Sequence, residues 1–183
     1  MNKININKTL YSSKPEDGNR LQKELATYDL LEKLNISYIR IDHEETASIE
    51  SCLDVESVLG IEICKNLFLR NASKTEFYLL IMPGNKKFIT KNLSKQIGSS
   101  RLSFAESEYM EEFLNITPGS VSILGLMNDK KHKIHLLIDK EVAESEYLGC
   151  HPCINTSSLK IKTLDILNTF LPYTGHEAVV VEI

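Results

Sequence analysis

Apolar positions recur along the chain with two different periods, and the switches between them mark out its elements. Leu21, Leu25, Tyr28, Leu31 and Leu34 fall at steps of four and three, which predicts an amphipathic helix ending near Asn35. Ser37 to Ile41 changes to period two, with Tyr38 and Arg40 opposite Ile39 and Ile41, and reads as a half-buried strand. Thr46 is suited to cap a second helix running toward Gly60. Leu67 to Arg70 and Phe77 to Met82 are apolar runs separated by Asn71-Ala72-Ser73-Lys74-Thr75, the pattern of a hairpin. After the turn Pro83-Gly84-Asn85 come a short strand at Lys87 to Ile89, a helix capped by Thr90 and reaching about Gly98, and a helix around Glu106 to Leu114. Strands at Val121 to Leu124 and Lys133 to Ile138 flank the turn Asn128-Asp129-Lys130. A strand at Ser157 to Ile161, a helix from Leu164 to Leu171 and a strand at Ala178 to Val181 complete the pattern. Residues 1–19, rich in Asn, Lys and Ser with Pro15 and Gly18, read as a tail or irregular lead-in, and residues 20–183 as a single domain.

About seven strands, some joined as hairpins and others through helical crossovers, imply a mixed sheet and the α+β class. A length of 183 residues with 42% hydrophobic content supplies one domain with a real core and is short for two. The formal charge of -4 and a pI near 5.8 exclude a protein that coats duplex DNA or clings to anionic lipid by bulk electrostatics. Any nucleic-acid site must be local. Basic residues gather at Lys86, Lys87, Lys91, Lys95 and Arg101, and again at Lys130, Lys131, His132 and Lys133. Each cluster reads first as a solvated face and second as a contact for phosphates. The segment Met1 to Lys8 lacks the apolar stretch of a signal peptide, and no run approaches the roughly 18 apolar residues of a membrane span, so a cytoplasmic location is expected. Its four cysteines are then expected to be reduced.

Three segments carry candidate chemistry. Lys65-Asn66 opens the strand-like run Leu67-Phe68-Leu69, so that an ammonium can project from a strand end into a cleft. Thr117 to Leu126 places Gly119 and Ser120 in a Pro-Gly turn, with Val121 and Gly125 on the run that follows. Gly149 to Thr156 contains His151, Asn155 and Thr156. Taken singly, each has a plain reading: a solvated lysine, an ordinary turn, a structural histidine. Cys150-His151-Pro152-Cys153 is also a literal Cys-x-x-Cys, open to a thiol oxidoreductase reading. That chemistry needs its first thiolate at a helix N-terminus, whereas Ile154 to Ile161 alternates like a strand and the motif sits late in the chain. A zinc site is weaker still, since Cys52 and Cys64 are not spaced as a second ligand pair. No Ser-His-Asp order, Gly-rich phosphate loop or paired-carboxylate motif stands out.

In their order, Lys-Asn-Leu-Phe-Leu, the Thr117 to Leu126 segment and His-Pro-x-x-Asn-Thr resemble the freestanding prolyl-tRNA editing domains of the ProX and YbaK type, from about residue 20 to Ile183. The resemblance implies a curled, partly barrel-like mixed sheet with helices outside. It implies a trans-editing deacylase of mischarged tRNA(Pro), on the alanine-specific branch rather than the cysteine-specific YbaK branch, with a non-catalytic binding module as the alternative of another class. It also implies roles. Lys65, with Asn66, contacts the terminal adenosine or its phosphate. Gly119 and Ser120 give backbone donors to the ester oxyanion, with Val121 and Gly125 beside them. His151, with Gly149, Asn155 and Thr156, holds the aminoacyl ribose and the small side chain. No metal, cofactor or covalent nucleophile is implied, and the implied partners are the acceptor end of mischarged tRNA(Pro) and prolyl-tRNA synthetase. This sequence departs from the family at Ile123-Leu124, where Pro-Phe is commoner, and at Cys150, where an aromatic is commoner.

Overall fold

The computed structural model describes residues 5–16, 18–45 and 49–183, apart from the side chains of residues 49–52. Nine strands and seven short α-helices run in the order β1 (Ile6–Tyr11), α1 (Gln22–Lys33), β2 (Tyr38–His43), α2 (Ile49–Leu59), β3 (Lys65–Asn71), β4 (Phe77–Met82), α3 (Thr90–Gln96), β5 (Leu102–Phe104), α4 (Ser107–Tyr109), β6 (Ile134–Asp139), α5 (Lys140–Glu144), β7 (Tyr147–Cys150), β8 (Ser157–Lys162), α6 (Thr163–Asp165), α7 (Leu171–Thr174) and β9 (Ala178–Val181), counted among the described residues. A π-helical turn at Met110–Leu114 extends α4, another at Ile166–Phe170 joins α6 to α7, and a 3-10 helix spans Ile123–Asn128. The expected cap at Thr46 lies outside the described residues.

The class is α+β, with the strands divided between two sheets. One has the order β1-β2-β8-β7, the other β5-β3-β4-β6-β9, with β4, β6 and β9 parallel and the remaining pairs antiparallel. An isolated bridge from Ile63, just before β3, to Gly149 in β7 joins the sheets. At that seam the Cys64 N–H donates to the Gly149 carbonyl at 3.3 Å.

Strand β4 shows why the sequence folds this way. Phe77, Leu79 and Ile81 point into the main core, while Tyr78, Leu80 and Met82 point into a second core on the far face, so the uninterrupted apolar run suits a strand buried on both sides. The main core packs Tyr28 and Leu31 of α1 and Phe170 against both sheets through Ile138 and Ile161. In the second, Leu93 of α3 covers Leu80, Leu137 and Val181. A third, smaller cluster of Ile41, Val55, Leu59 and Ile63 seats α2.

Several expected elements differ. Residues 6–11, within the expected lead-in, form a strand on β2, exposed over Asn7 to Leu10 and therefore lacking the apolar alternation that marks a strand. Lys87 to Ile89 is irregular rather than a strand. Val121 to Leu124 is not a strand either: Ser122 accepts the Leu124 N–H at 3.2 Å and caps the 3-10 helix. Strands β5 and β7, only 3 and 4 residues long, were too short to show a period.

Candidate active site

The turn between β7 and β8 carries His151, Asn155 and Thr156. The His151 Nδ1 lies 2.8 Å from the Ser157 carbonyl oxygen, an atom that only accepts, so Nδ1 bears the proton and Nε2 the lone pair. Burial is the main influence on this ring and pushes its pKa down to about 4, so the imidazole is neutral near pH 7. Behind it, buried His43 directs Nδ1–H at the Glu44 carbonyl at 2.8 Å and takes the Ser158 hydroxyl on Nε2 at 2.9 Å. The Ser158 oxygen also lies 3.4 Å from the His151 Nδ1. Ser157 donates to Asp42 at 2.6 Å, and Asp42 is held by Arg20 at 2.9 Å and by Arg40. The turn thus stands on a polar network from β2 and β8.

Ser122 ties this turn to the Thr117 to Leu126 segment. Its fully buried hydroxyl donates to the His151 carbonyl at 2.6 Å. On the same segment Gly119 adopts φ +89°, and a Cβ built there would stand 3.2 Å from the Asn155 Nδ2. Gly119 and Asn155 are therefore direct neighbours, and the glycine lets the amide approach. Ser120 is buried and its N–H already donates to the Thr117 carbonyl at 3.1 Å, which removes one of the two backbone donors expected from the turn. The Gly119 N–H makes no hydrogen bond among the described residues. Val121 packs half-buried on the main core. Gly125 sits in the 3-10 helix, where a Cβ would meet Ile116 at 2.5 Å, so its bareness serves packing on Leu114 and Ile116. Gly149 forms the seam, with room for a Cβ denied by Ile63 at 2.7 Å and the Glu62 carbonyl at 2.9 Å. The Thr156 carbonyl accepts the His43 N–H at 3.0 Å.

Lys65 and Asn66 begin β3, immediately past the seam. The Lys65 ammonium donates to the Lys86 carbonyl at 2.9 Å and borders a cleft of about 230 Å³ shared with Leu53, Glu56, Ile63 and Gly84. Asn66 points the other way along the pleat and donates to the Cys64 carbonyl at 3.0 Å. The seam brings the start of β3 and the Gly149 strand together, but no direct contact joins Lys65 to His151 among the described residues.

The oxygens Asn66 Oδ1 and Asn155 Oδ1 are both buried without a hydrogen-bond partner. Leaving such an acceptor unpaired costs about 1–3 kcal/mol, and the same holds for the Glu24, Tyr38 and Ser99 oxygens away from these segments.

The cysteines do not form a redox motif. Cys150 ends a strand and Cys153 sits at φ +62° in the turn, with β8 rather than a helix following. Burial raises both thiols, Cys153 to about 11 and Cys150 further, the reverse of a reactive thiolate. Cys64, Cys150 and Cys153 are free. No group of three or more His, Cys, Asp or Glu side chains among the described residues is arranged to hold a metal ion. No helix of the described residues is long and apolar enough to cross a membrane. Of the basic cluster, Lys86 is committed to an ion pair with Asp139, while Lys87, Lys91, Lys95 and Arg101 are exposed. His176 is structural, its Nε2 lying 3.3 Å from buried Asp129.

Sequence reasoning missed Ser122, His43 and Ser158. Ser122 had a signal, a serine just ahead of the apolar run Ile123-Leu124, which is an N-cap pattern. His43 and Ser158 had none, because their pairing exists only through the register of β2 on β8, in which Ile41 faces Ser158.

Comparison with known proteins bears on the same segments. A model of the aminoacyl-tRNA editing domain matches residues 43–169. The chain is 33% identical over 138 residues to the prolyl-tRNA editing protein ProX of Acetoanaerobium sticklandii, covering 74% of this chain and 83% of that protein. It is 30% identical over 162 residues to prolyl-tRNA synthetase associated domain-containing protein 1 of Danio rerio, covering 87% of this chain and 86% of that one. A solved structure described as a candidate trans-editing enzyme for prolyl tRNA synthetase shares the fold, with a TM-score of 0.65 at 14% identity over 90% of this chain and 99% of the other. The segments that carry the site lie within the matched span, and the chain belongs to the aminoacyl-tRNA editing domain family, among the prolyl-tRNA editing proteins of the ProX type.

Proposed function

We propose that this protein is a trans-editing deacylase that hydrolyses the ester of alanyl-tRNA(Pro) and excludes prolyl-tRNA(Pro) by size. A synthetase pocket that admits proline cannot keep out the smaller alanine, and apolar size discrimination yields only about 10- to 200-fold, so a second hydrolytic site open to small side chains is the physical remedy. The observation that carries the reading is the contact between Gly119 and Asn155. It packs a turn whose Gly119 N–H is uncommitted against the Asn155 side chain, whose amide oxygen is unpaired, through a tight, Cβ-free approach.

In this reading the Gly119 N–H donates to the ester carbonyl as its oxygen becomes an oxyanion. Asn155 Oδ1 accepts from the ammonium or ribose hydroxyl of the aminoacyl end, and the His151 Nε2 lone pair accepts a second hydroxyl. At a pKa of about 4, His151 is too weak a base to draw a proton fully, so its part is orientation. Lys65, one of whose three ammonium donors stays on the Lys86 carbonyl, offers the others to the terminal phosphate. An aminoacyl ester is already activated: a water adds to its carbonyl carbon, the bond to the ribose oxygen breaks, and the water's proton ends on that departing oxygen as the ribose hydroxyl, so positioning with oxyanion stabilisation is sufficient chemistry. The natural partners are the acceptor end of tRNA(Pro) and the synthetase named in the relatives' descriptions.

Parallel time courses on alanyl-, cysteinyl- and prolyl-tRNA(Pro) test the reading. Alanyl-tRNA(Pro) is expected to be deacylated fastest and prolyl-tRNA(Pro) at least about tenfold more slowly, since overpacking a tight wall costs about 1–3 kcal/mol. Cysteine fastest would move the protein to the cysteine-specific branch, equal rates for alanine and proline would sink size exclusion, and no hydrolysis of any would leave a binding module.

A further inference from the structure

Resting on the reading of Lys65 as the anchor of the substrate's terminal nucleotide, we propose that Lys86 and Asp139 are positioning residues for Lys65, acting through the turn that follows β4. Lys65 opens a strand, and a lysine there has four rotatable bonds and no side-chain partner of opposite charge among the described residues. What holds its ammonium is a main-chain atom, the Lys86 carbonyl at 2.9 Å. The placement of Lys65 is therefore only as good as that of residue 86.

Residue 86 is fixed from two sides. Ahead of it, Gly84 packs so closely on the chain before β3 that a Cβ would stand 2.6 Å from the Ile63 carbonyl oxygen. At the residue itself, the Lys86 ammonium reaches both oxygens of Asp139, at 3.0 and 3.1 Å, and Glu141 at 3.0 Å. Asp139, the last residue of β6, is fully buried. Its oxygens also accept the N–H groups of Glu141 at 2.9 Å and Ile183 at 3.0 Å, so the carboxylate is pinned by the start of α5 and by the chain beyond β9. A buried carboxylate with this many donors is rigid, and the Lys86 side chain that ends on it is held with it. Lys86 thus uses its side chain to hold its own main chain, and its main chain to aim Lys65. The sequence places Lys86 in a basic cluster suited to phosphates; the fold gives it a carboxylate instead.

Trace acetylation of the folded protein, read by mass spectrometry as the labelling rate of Lys65 relative to exposed Lys87, tests the anchoring without any substrate. Relative to wild type, Lys86→Met and Asp139→Asn are each expected to speed Lys65 labelling about tenfold by releasing the rotamer freedom of a long side chain, and Lys86→Arg to leave it near wild type. Two variants approach the clamp from opposite sides, so one that fails to fold leaves the other to decide. An unchanged ratio in a folded variant overturns the proposal. A double-mutant cycle then tests the consequence for the reaction. Lys86→Met is expected to lower deacylation of alanyl-tRNA(Pro) about tenfold in the wild-type background and to add nothing in a Lys65→Ala background, because residues acting through one another are not additive. The same loss in both backgrounds overturns it, since a general structural defect would not depend on Lys65. If the wild type never deacylates alanyl-tRNA(Pro), the deacylase reading falls, while the labelling ratio still decides the anchoring.

Discussion

At the start of β3 the polar groups are a cation and an amide on a half-exposed strand end, whereas in the turn between β7 and β8 they are a neutral imidazole and an amide standing on a buried hydrogen-bond network. The first region spends little on fixing its groups locally and borrows order from the turn at Gly84 to Lys86. The second fixes both nitrogens of His43 and the Nδ1 of His151 by partners on or beside β2 and β8, and leaves the His151 Nε2 open. Under the proposed function the difference corresponds to two tasks. A polyanion end is attracted from a distance by charge, and the lysine that meets it takes its aim from a neighbouring turn rather than from a buried network of its own. An ester the size of alanine carries little charge to steer it, and its selection depends on donors and acceptors placed to within tenths of an ångström.

The largest expected effect comes from removing the cation. Lys65→Ala is expected to lower deacylation about 100-fold, the usual cost of one positioned polar contact in an active site, with the melting temperature nearly unchanged because the side chain is half-exposed. Near-normal turnover in that variant would take Lys65 out of the site and leave the β7–β8 turn to act alone.

A smaller loss is expected on the other side of the comparison. Gly119→Ala must adopt φ +89° and push Asn155, whose Nδ2 would lie 3.2 Å from the new Cβ. The backbone strain is about 1–2 kcal/mol. A shift of tenths of an ångström should cost roughly tenfold in rate, less than the roughly 100-fold attached to a full 1 Å. Steady-state rates with alanyl-tRNA(Pro) and a thermal melt check both; a fast, stable variant would show that the close approach does not matter.

The smallest effect concerns pH. The folded pKa of His151 lies near 4, below the ordinary value of 6.5, so between these the unfolded chain binds the proton first. Stability is therefore lost as pH falls from about 6.5 through 4 and is unaffected by this group above 6.5. Burial lowers His43 in the same direction. Thermal melts across this window are expected to fall more for the wild type than for His151→Gln, and deacylation to show no histidine inflection near 6.5. An inflection there would mean that the imidazole becomes charged in the folded protein and that the two regions are less different than the geometry indicates.

Much of this was legible in the sequence where a period or a charge announced it. Helix α1, the β3–β4 hairpin and β8 follow from apolar spacing, while ordered polar motifs single out Lys65, His151 and Asn155 as candidates, of which the fold sets Asn155 against Gly119. Strand β1 was not legible, because an exposed edge strand is stabilised by its ladder on β2 and needs no apolar alternation. Ile123-Leu124 misled for the opposite reason: a short apolar run fits a strand or a buried helical turn equally, and the Ser122 cap decided between them. The support behind His151 was hidden because cross-strand register is a property of the pair of strands, not of either segment.

The seam between Ile63 and Gly149 has a consequence for the order of events during folding. These residues are distant along the chain, and the bridge between them closes a long loop whose entropy must be overcome before the contact gives anything back. The Lys65 end and the His151 end lie on opposite sides of that closure, on different sheets. The two ends of the proposed site thus come together only once this long-range bridge has formed, so a chain lacking it cannot bring the Lys65 end and the His151 end into their native relation.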